Sequence, residues 1–207
     1  MAVYILMAII AYAIGSVSFS IIFSKKFAGF DVREKGSGNA GTTNMLRSVG
    51  KGLAALTLIC DILKGVVAIL LAIGIGKIAT EVQPEILVQI AGVFVVLGHT
   101  FPVYFGFKGG KGVATSLGIL LLVNWQIGLI CLVFGLAIII LTRMVSLGSV
   151  MTAILFPVLT IFITENYVVD GNYIIFGIIM AAIVKFNHRS NIKRIYKGEE
   201  NKLGQKS

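Results

Sequence analysis

The chain has 207 residues, of which 57% are hydrophobic and only 13% charged, and its 18 Lys and Arg against 9 Asp and Glu give a formal net charge of +9. A soluble globular domain carries about 25% charged residues, so this composition excludes one and describes an integral membrane protein. Nucleic acid is a poor explanation of the positive charge. The basic residues interrupt apolar runs long enough to cross a bilayer, where topology and anionic substrates or lipids account for them.

At about 20 apolar residues per crossing, the runs predict helices at 3–24, 53–76, 85–105, 112–123, 127–142, 145–164 and 171–186. The first run has no basic residue before it and is followed by Lys25 and Lys26. That is the reverse of a secretory signal's charge order, so the run is expected to remain as a spanning helix. Cys60 and Cys131 lie inside apolar runs and read as small hydrophobes, and two Cys and two His without ligand spacing give no metal site.

The run from Val113 to Leu141 is broken only by Asn124-Trp125-Gln126. Counting that break as a turn puts Arg143 and the basic tail after Phe186 on the same side as the loops 25–52 and 106–112. Lys77 is then the only basic residue on the opposite side, which carries Glu81, Glu85, Glu165 and Asp170. The charge bias makes the basic side cytoplasmic and the N-terminus external, with Trp125, Tyr167 and Tyr104 at headgroup level. The expected fold is therefore an all-α integral membrane protein of about seven spanning helices, residues 1–207 forming one multi-pass domain.

Three polar stretches fall on the cytoplasmic side. The first runs from Asp31 to Arg47 and crowds Gly, Ser, Asn and Thr together. Its donors include the Ser37 hydroxyl and the Arg47 fork, which suits a phosphate or a carboxylate. Thr43 or Asn44 is placed to cap a short helix carrying Arg47. Within the second helix, Asp61 and Lys64 are three residues apart and share a face. A charge at the bilayer centre costs about 2.5–3.5 kcal/mol, so both must face protein or a wet cavity. They read either as an ion pair that fixes helix packing or as a support for the polar loops.

The second polar stretch, Gly98-His99-Thr100-Phe101-Pro102 through Gly106-Phe107-Lys108-Gly109-Gly110-Lys111-Gly112, puts glycines and lysines between two apolar runs. Successive glycine N–H groups, Lys111 and the start of the next helix can cradle a phosphate. A nucleotide-binding loop fits badly, because the hydroxyl residue required after Gly-Lys is Gly112 here. His99 reads as an interfacial histidine or a participant in the site. In the third stretch, His188, Asn191 and Arg194 recur every three residues and drift slowly around one helix face, with Glu200 after Gly198 placed to anchor the tail. The alternative there is a basic helix that binds anionic lipid.

Taken together, these stretches resemble the bacterial acyl-phosphate glycerol-3-phosphate acyltransferase (PlsY) family. Its motif Ser-Gly-Asn-x-Gly-x-Thr-Asn-x-x-Arg is matched from Ser37 to Arg47, its glycine-rich motif with a preceding Gly-His-x-Phe-Pro from Gly98 to Thr115, and its His-x-x-Asn-x-x-Arg-x-x-x-Gly-x-Glu from His188 to Glu200. The resemblance implies acyl transfer from a long-chain acyl phosphate to the sn-1 hydroxyl of glycerol 3-phosphate, giving lysophosphatidic acid and inorganic phosphate without metal or organic cofactor. It implies a catalytic set of Ser37, Arg47, His188 and Asn191. It further implies phosphate binding by Lys108, Gly109, Gly110, Lys111 and Gly112 with Asn39, Thr43 and Asn44. Asp61, Lys64, His99, Arg194 and Glu200 are read as supports. It also implies a bacterial cytoplasmic membrane, an active site on the cytoplasmic side, membrane lipid as surroundings and a soluble transferase that supplies acyl phosphate.

The chemistry of these residues agrees. An acyl phosphate is already activated, so the protein has to hold two mutually repelling anions and stabilise an oxyanion. The base is either His188 or a substrate phosphate oxygen. The competing classes are an organic-phosphate transporter, which calls for repeat symmetry and polar groups near the bilayer midplane, and a lipid-binding scaffold.

Overall fold

The computed structural model describes residues 1–163 and 172–204 of the chain. All regular secondary structure among the described residues is helical, with no strand among them. Glu165, Tyr167 and Asp170, expected in loops facing away from the basic side, lie outside the described residues. The chain divides into two compact units, Met1–Ile119 and Leu120–Ser207.

The first unit opens with α1 (Ala2–Gly15), and α2 (Phe19–Phe23) runs on into a wider turn at Ser24–Ala28. A single helix was expected over 3–24. It is interrupted because Ser18 is extended and the Ser16 hydroxyl donates back to the Tyr12 carbonyl. Hydroxyls near the backbone compete with the helical ladder in this way. The interruption exposes the Val17 carbonyl, and Lys64 takes it (2.9 Å).

After a loop come α3 (Thr42–Ser48), α4 (Lys51–Ile78) and α5 (Pro84–Thr100), whose first turn accommodates Pro84. The third expected helix, 85–105, stops at Thr100, and a short turn at Val103–Phe105 follows. Pro102 lacks the N–H that continuation needs. The α3 cap is Gly41 instead of Thr43 or Asn44, because the Asn44 side chain is spent on the loop before it.

Glycines let these helices approach closely. A methyl group at Gly15 would run into the Val95 carbonyl and one at Gly98 into that of Tyr12, so α1 and α5 cross backbone to backbone. Gly65 and Gly118 give α4 the same intimacy with the start of α6 (Val113–Val123). Small residues at helix crossings replace the hydrophobic drive that lipid cannot supply. Met7, Ile69, Val95 and Ile119 fill the interior, while Ile5, Ile9, Ile59 and Leu70 are more than half exposed, as apolar side chains facing lipid should be.

In the second unit Asn124 separates α6 from α7 (Trp125–Thr142) by accepting the Ile127 N–H at 3.0 Å. The break placed there by the sequence is an N-cap. Helix α8 (Val145–Phe162) contains Pro157, against which Gly177 of α9 (Asn172–Asn187) packs. Phe156, Tyr173 and Phe176 form an aromatic cluster with centroids 5.8–6.1 Å apart. The expected helices 145–164 and 171–186 correspond to α8 and α9, with the intervening stretch outside the described residues. Helix α10 (Arg189–Tyr196) closes the unit. Among the described residues five segments are long and apolar enough to cross a membrane, and Val113–Val123 and Tyr173–Asn187 are shorter apolar helices.

Candidate active site

In the first unit the Asp31–Arg47 stretch folds around Asn44, which is buried. Its amide nitrogen donates to the carbonyls of Val32 (2.8 Å) and Lys35 (3.0 Å), and its Oδ1 accepts the Ser37 N–H (2.9 Å). Gly36 lies where a Cβ would meet that Oδ1, and it takes φ +59, a left-handed value that favours glycine. The loop therefore closes tightly and presents Ser37 at an exposed position. Expected among the phosphate ligands, Asn44 has both N–H groups committed inside the loop. Asn39 and Thr43 are half-buried at its rim, and Arg47 is half-buried in α3 and engaged in further interactions.

Beneath the loop Ile21, Val32, Ala40, Met45 and Ala54 form an apolar plug flanked by Phe105. Through it the first polar stretch rests on the second. The Ala40 N–H approaches the Gly109 carbonyl (3.4 Å), and a methyl at Gly110 would strike both the Ala40 carbonyl and the His99 ring. The glycine loop folds back on the end of α5: the Gly109 N–H donates to Thr100 (3.0 Å) and the Gly110 N–H to His99 (3.1 Å). These two amides, expected to face an anion, are used inside the loop. The first turn of α6, whose leading N–H groups have no partner within a helix, and Lys111, itself engaged in a further interaction, form the cationic end of the stretch. Lys108 is exposed beside them.

Asp61 and Lys64 pair at 2.8 Å, both buried, and His99 Nδ1 stands 3.5 Å from Asp61 Oδ1. A buried pair on the α4 face thus reaches the backbone at Val17 on one side and, through His99, the packing surface of Gly110 on the other. Sequence reasoning passed over two further residues. Asp31 holds Arg33 through Nε (3.0 Å) and Nη2 (2.8 Å), with Lys25 3.3 Å away. The Arg33 hydrogen bond brings the Asp31 carboxyl down to about 2, against the effect of its burial. Nothing in an Asp-x-Arg spacing marks it off from an ordinary surface pair.

In the second unit His188 begins α10. Its Nδ1 lies 2.8 Å from the Val184 carbonyl. A carbonyl only accepts, so Nδ1 carries the proton, and in the neutral ring the basic lone pair is on Nε2. Asn191 Nδ2 donates to Glu200 Oε1 (2.7 Å), Ser146 Oγ to the same oxygen (2.8 Å), and Arg194 Nε to Oε2 (2.9 Å). Asn191 and Arg194 thus converge on Glu200, and the tail is pinned to α8. Burial works against ionising Glu200, but the bonds from Asn191, Ser146 and Arg194 outweigh it and hold the carboxyl below its ordinary range. Ser146, at the start of the apolar run 145–164, carried no signal in the sequence. Among the described residues no group of three or more His, Cys, Asp and Glu has the arrangement of a metal site.

Comparison with known proteins bears on both units. Residues 5–198 match a family model described as glycerol-3-phosphate acyltransferase. A glycerol-3-phosphate acyltransferase of Clostridioides difficile (strain 630) is 42% identical over 203 residues, 98% of this chain and 97% of that one. One of Thermoanaerobacter sp. (strain X514) is 44% identical with the same coverage. The crystal structure of PlsY, an integral membrane glycerol 3-phosphate acyltransferase, in its glycerol 3-phosphate form superposes with a TM-score of 0.85 at 34% identity, covering 97% of this chain and 96% of that one. Its lysophosphatidic acid form gives 0.82 at 33% identity, covering 97% and 95%. With a full-length family match, close relatives and a shared helical architecture, the chain belongs to the glycerol-3-phosphate acyltransferase family, the integral membrane acyltransferases represented by PlsY.

Proposed function

We propose that the protein transfers a fatty acyl group from acyl phosphate to the sn-1 hydroxyl of glycerol 3-phosphate, giving lysophosphatidic acid and inorganic phosphate. The observation that carries this reading is the packing of the Ser37–Arg47 loop against the glycine loop in the first unit, which gathers a hydroxyl, Arg47 and Lys111 on adjoining polar segments. Relatives named for glycerol 3-phosphate, and PlsY structures in glycerol 3-phosphate and lysophosphatidic acid forms, support it.

In this reading the sn-1 oxygen attacks the acyl carbonyl carbon. The new ester C–O bond forms, the C–O bond to phosphate breaks, and the hydroxyl proton leaves to a base. His188, with its lone pair on Nε2, is the protein's candidate, and a phosphate oxygen of the substrate is the other. Lys111, Lys108, Arg47 and the N–H groups opening α6 neutralise phosphate charge, with Gly109, Gly110 and Gly112 keeping the backbone close and Asn39 and Thr43 at the rim. The oxyanion takes a donor from Ser37, from Asn191 or from backbone N–H groups. The reaction needs positioning and charge neutralisation more than a covalent intermediate. Asn44 acts by shaping the Ser37 loop. Asp61, Lys64 and His99 brace the glycine loop from below, and Glu200 with Arg194 holds Asn191.

The same reading gives seven crossings, the five long apolar segments plus Val113–Val123 and Tyr173–Asn187, in a bacterial cytoplasmic membrane. The charge bias along the chain supports an external N-terminus and cytoplasmic motif loops. The family match spans residues of both compact units, which favours one functional domain. A soluble enzyme that makes acyl phosphate is the required supplier.

The test uses purified protein in lipid with labelled glycerol 3-phosphate, offered acyl phosphate, acyl-CoA or acyl carrier protein separately. Lysophosphatidic acid from acyl phosphate alone, lost in Ser37→Ala and Arg47→Ala, is expected. Absence of product with every donor, combined with movement of labelled glycerol 3-phosphate across sealed vesicles, assigns the loops to a transporter instead.

A further inference from the structure

We infer that Arg33, outside all three motifs, is a positioning residue that sets the phosphate-binding geometry of the glycine loop. The inference rests on the acyl-transfer reading above. Between Phe105 and Lys108 the chain turns through two successive left-handed residues, Gly106 (φ +67) and Phe107 (φ +60). Glycine takes that conformation readily, whereas an aromatic side chain does so only at a cost. Within the turn the Phe107 N–H donates to the Pro102 carbonyl (2.9 Å), which leaves the carbonyls at its two ends to be held from outside.

Arg33 holds both. Its Nη1 donates to the Phe105 carbonyl (2.7 Å), just before the left-handed pair, and to the Lys108 carbonyl (3.1 Å), just after it. The remaining donors are aimed by Asp31, whose two carboxylate oxygens take Nε and Nη2 and whose Oδ1 also caps the turn at the Arg33 N–H (3.0 Å). Only a planar fork fixed along one edge can present its other nitrogen to two carbonyls at a set angle. Lys108 is followed directly by Gly109, Gly110 and Lys111, so the Arg33 grip determines where the phosphate donors begin. The same arginine lies four residues before Ser37, and one clamp thereby sets the spacing between the hydroxyl-bearing loop and the anion-binding loop.

The test compares native protein with Arg33→Gln, Arg33→Lys and Asp31→Asn in lipid, reading steady-state kinetics, Tm and hydrogen–deuterium exchange over residues 106–112. In Arg33→Gln, KM for glycerol 3-phosphate is expected to rise roughly 10- to 100-fold, the span set by losing charged hydrogen bonds. KM for acyl phosphate should change much less, and exchange over 106–112 should quicken. Arg33→Lys keeps the charge but not the fork and is expected to recover only a minor part, with Asp31→Asn intermediate. Unchanged exchange in Arg33→Gln overturns the clamp. Faster exchange with kinetics that merely track Tm, both KM values moving together, overturns the positioning role. No lysophosphatidic acid from the native protein overturns the acyl-transfer reading and, with it, the catalytic half of this inference, while the exchange data still decide the clamp.

Discussion

The glycine loop of the first unit and the Glu200 anchor of the second solve the same problem with opposite means. Beyond the Arg33 grip at its start, the loop is held by backbone: its amides at Gly109 and Gly110 bond the end of α5, and its close approaches leave no room for a methyl group. The anchor is held by side chains, with Ser146, Asn191 and Arg194 meeting on one carboxylate. A backbone-built element fails through volume and hardly feels pH. A side-chain-built element tolerates volume better and fails through charge.

The sharpest way to break the contrast is Gly110→Ala. The added methyl meets the His99 ring and the Ala40 carbonyl, and neither yields easily, since His99 is itself buried against Asp61. The loop must shift, and a displacement near 1 Å costs about 100-fold in a positioned reaction. Acyl transfer is expected to drop by that order while Tm falls only modestly. Activity within twofold of native would show that the backbone fit is not limiting.

Glu200→Gln comes next. Arg194 loses a charged partner, and Ser146 and Asn191 then face an amide that accepts at only one atom, so a loss of about 1–3 kcal/mol is expected. Thermal melting checks it, and a melting curve matching native at neutral pH would show that the anchor's charge adds nothing measurable to stability. The pH dependence carries the same sign. Because the folded carboxyl titrates below its ordinary value of 4.5, its contribution is fully present above that value and is lost as pH falls through the lower folded one.

The smallest effect is at Asp31, and it sharpens the comparison by bringing charge to the backbone-built side. Its carboxyl is lowered from 3.8 to about 2, first by Arg33 and then, against burial, by the Arg33 N–H and Lys25. The stability this lends is present above pH 3.8 and is lost as pH falls towards 2. Allowing for solvent screening, it amounts to about 1–2 kcal/mol. Melting between pH 5 and 2 should therefore fall more steeply in native protein than in Asp31→Asn, whose amide cannot titrate. Parallel curves would mean that the pair contributes nothing measurable.

Helix existence was legible wherever apolar runs met clear punctuation, as at Asn124 and Pro84. It was misread where the interruption is a local hydroxyl contest, as at Ser16 and Ser18, because that signal is weaker than the hydropathy around it. The three motifs were legible as chemistry, since hydroxyls, glycines and cations between apolar runs need a reason. Which of their atoms remain to meet a substrate was not. The amides of Gly109 and Gly110, and the side chain of Asn44, are spent on contacts whose partners lie elsewhere in the chain.

By itself the sequence determined that this is a helical membrane protein with three polar segments rich in hydroxyls, glycines and cations, because hydropathy and motif spacing are local properties of the chain. Only the tertiary structure decided that Arg33 grips the carbonyls on either side of Gly106 and Phe107, that Lys64 reaches the Val17 carbonyl freed by a broken helix, and that Ser146 shares Glu200 with Asn191. Each of these joins residues from 9 to 75 positions apart. Burial makes such bonds worth forming, and burial exists only once the helices have packed.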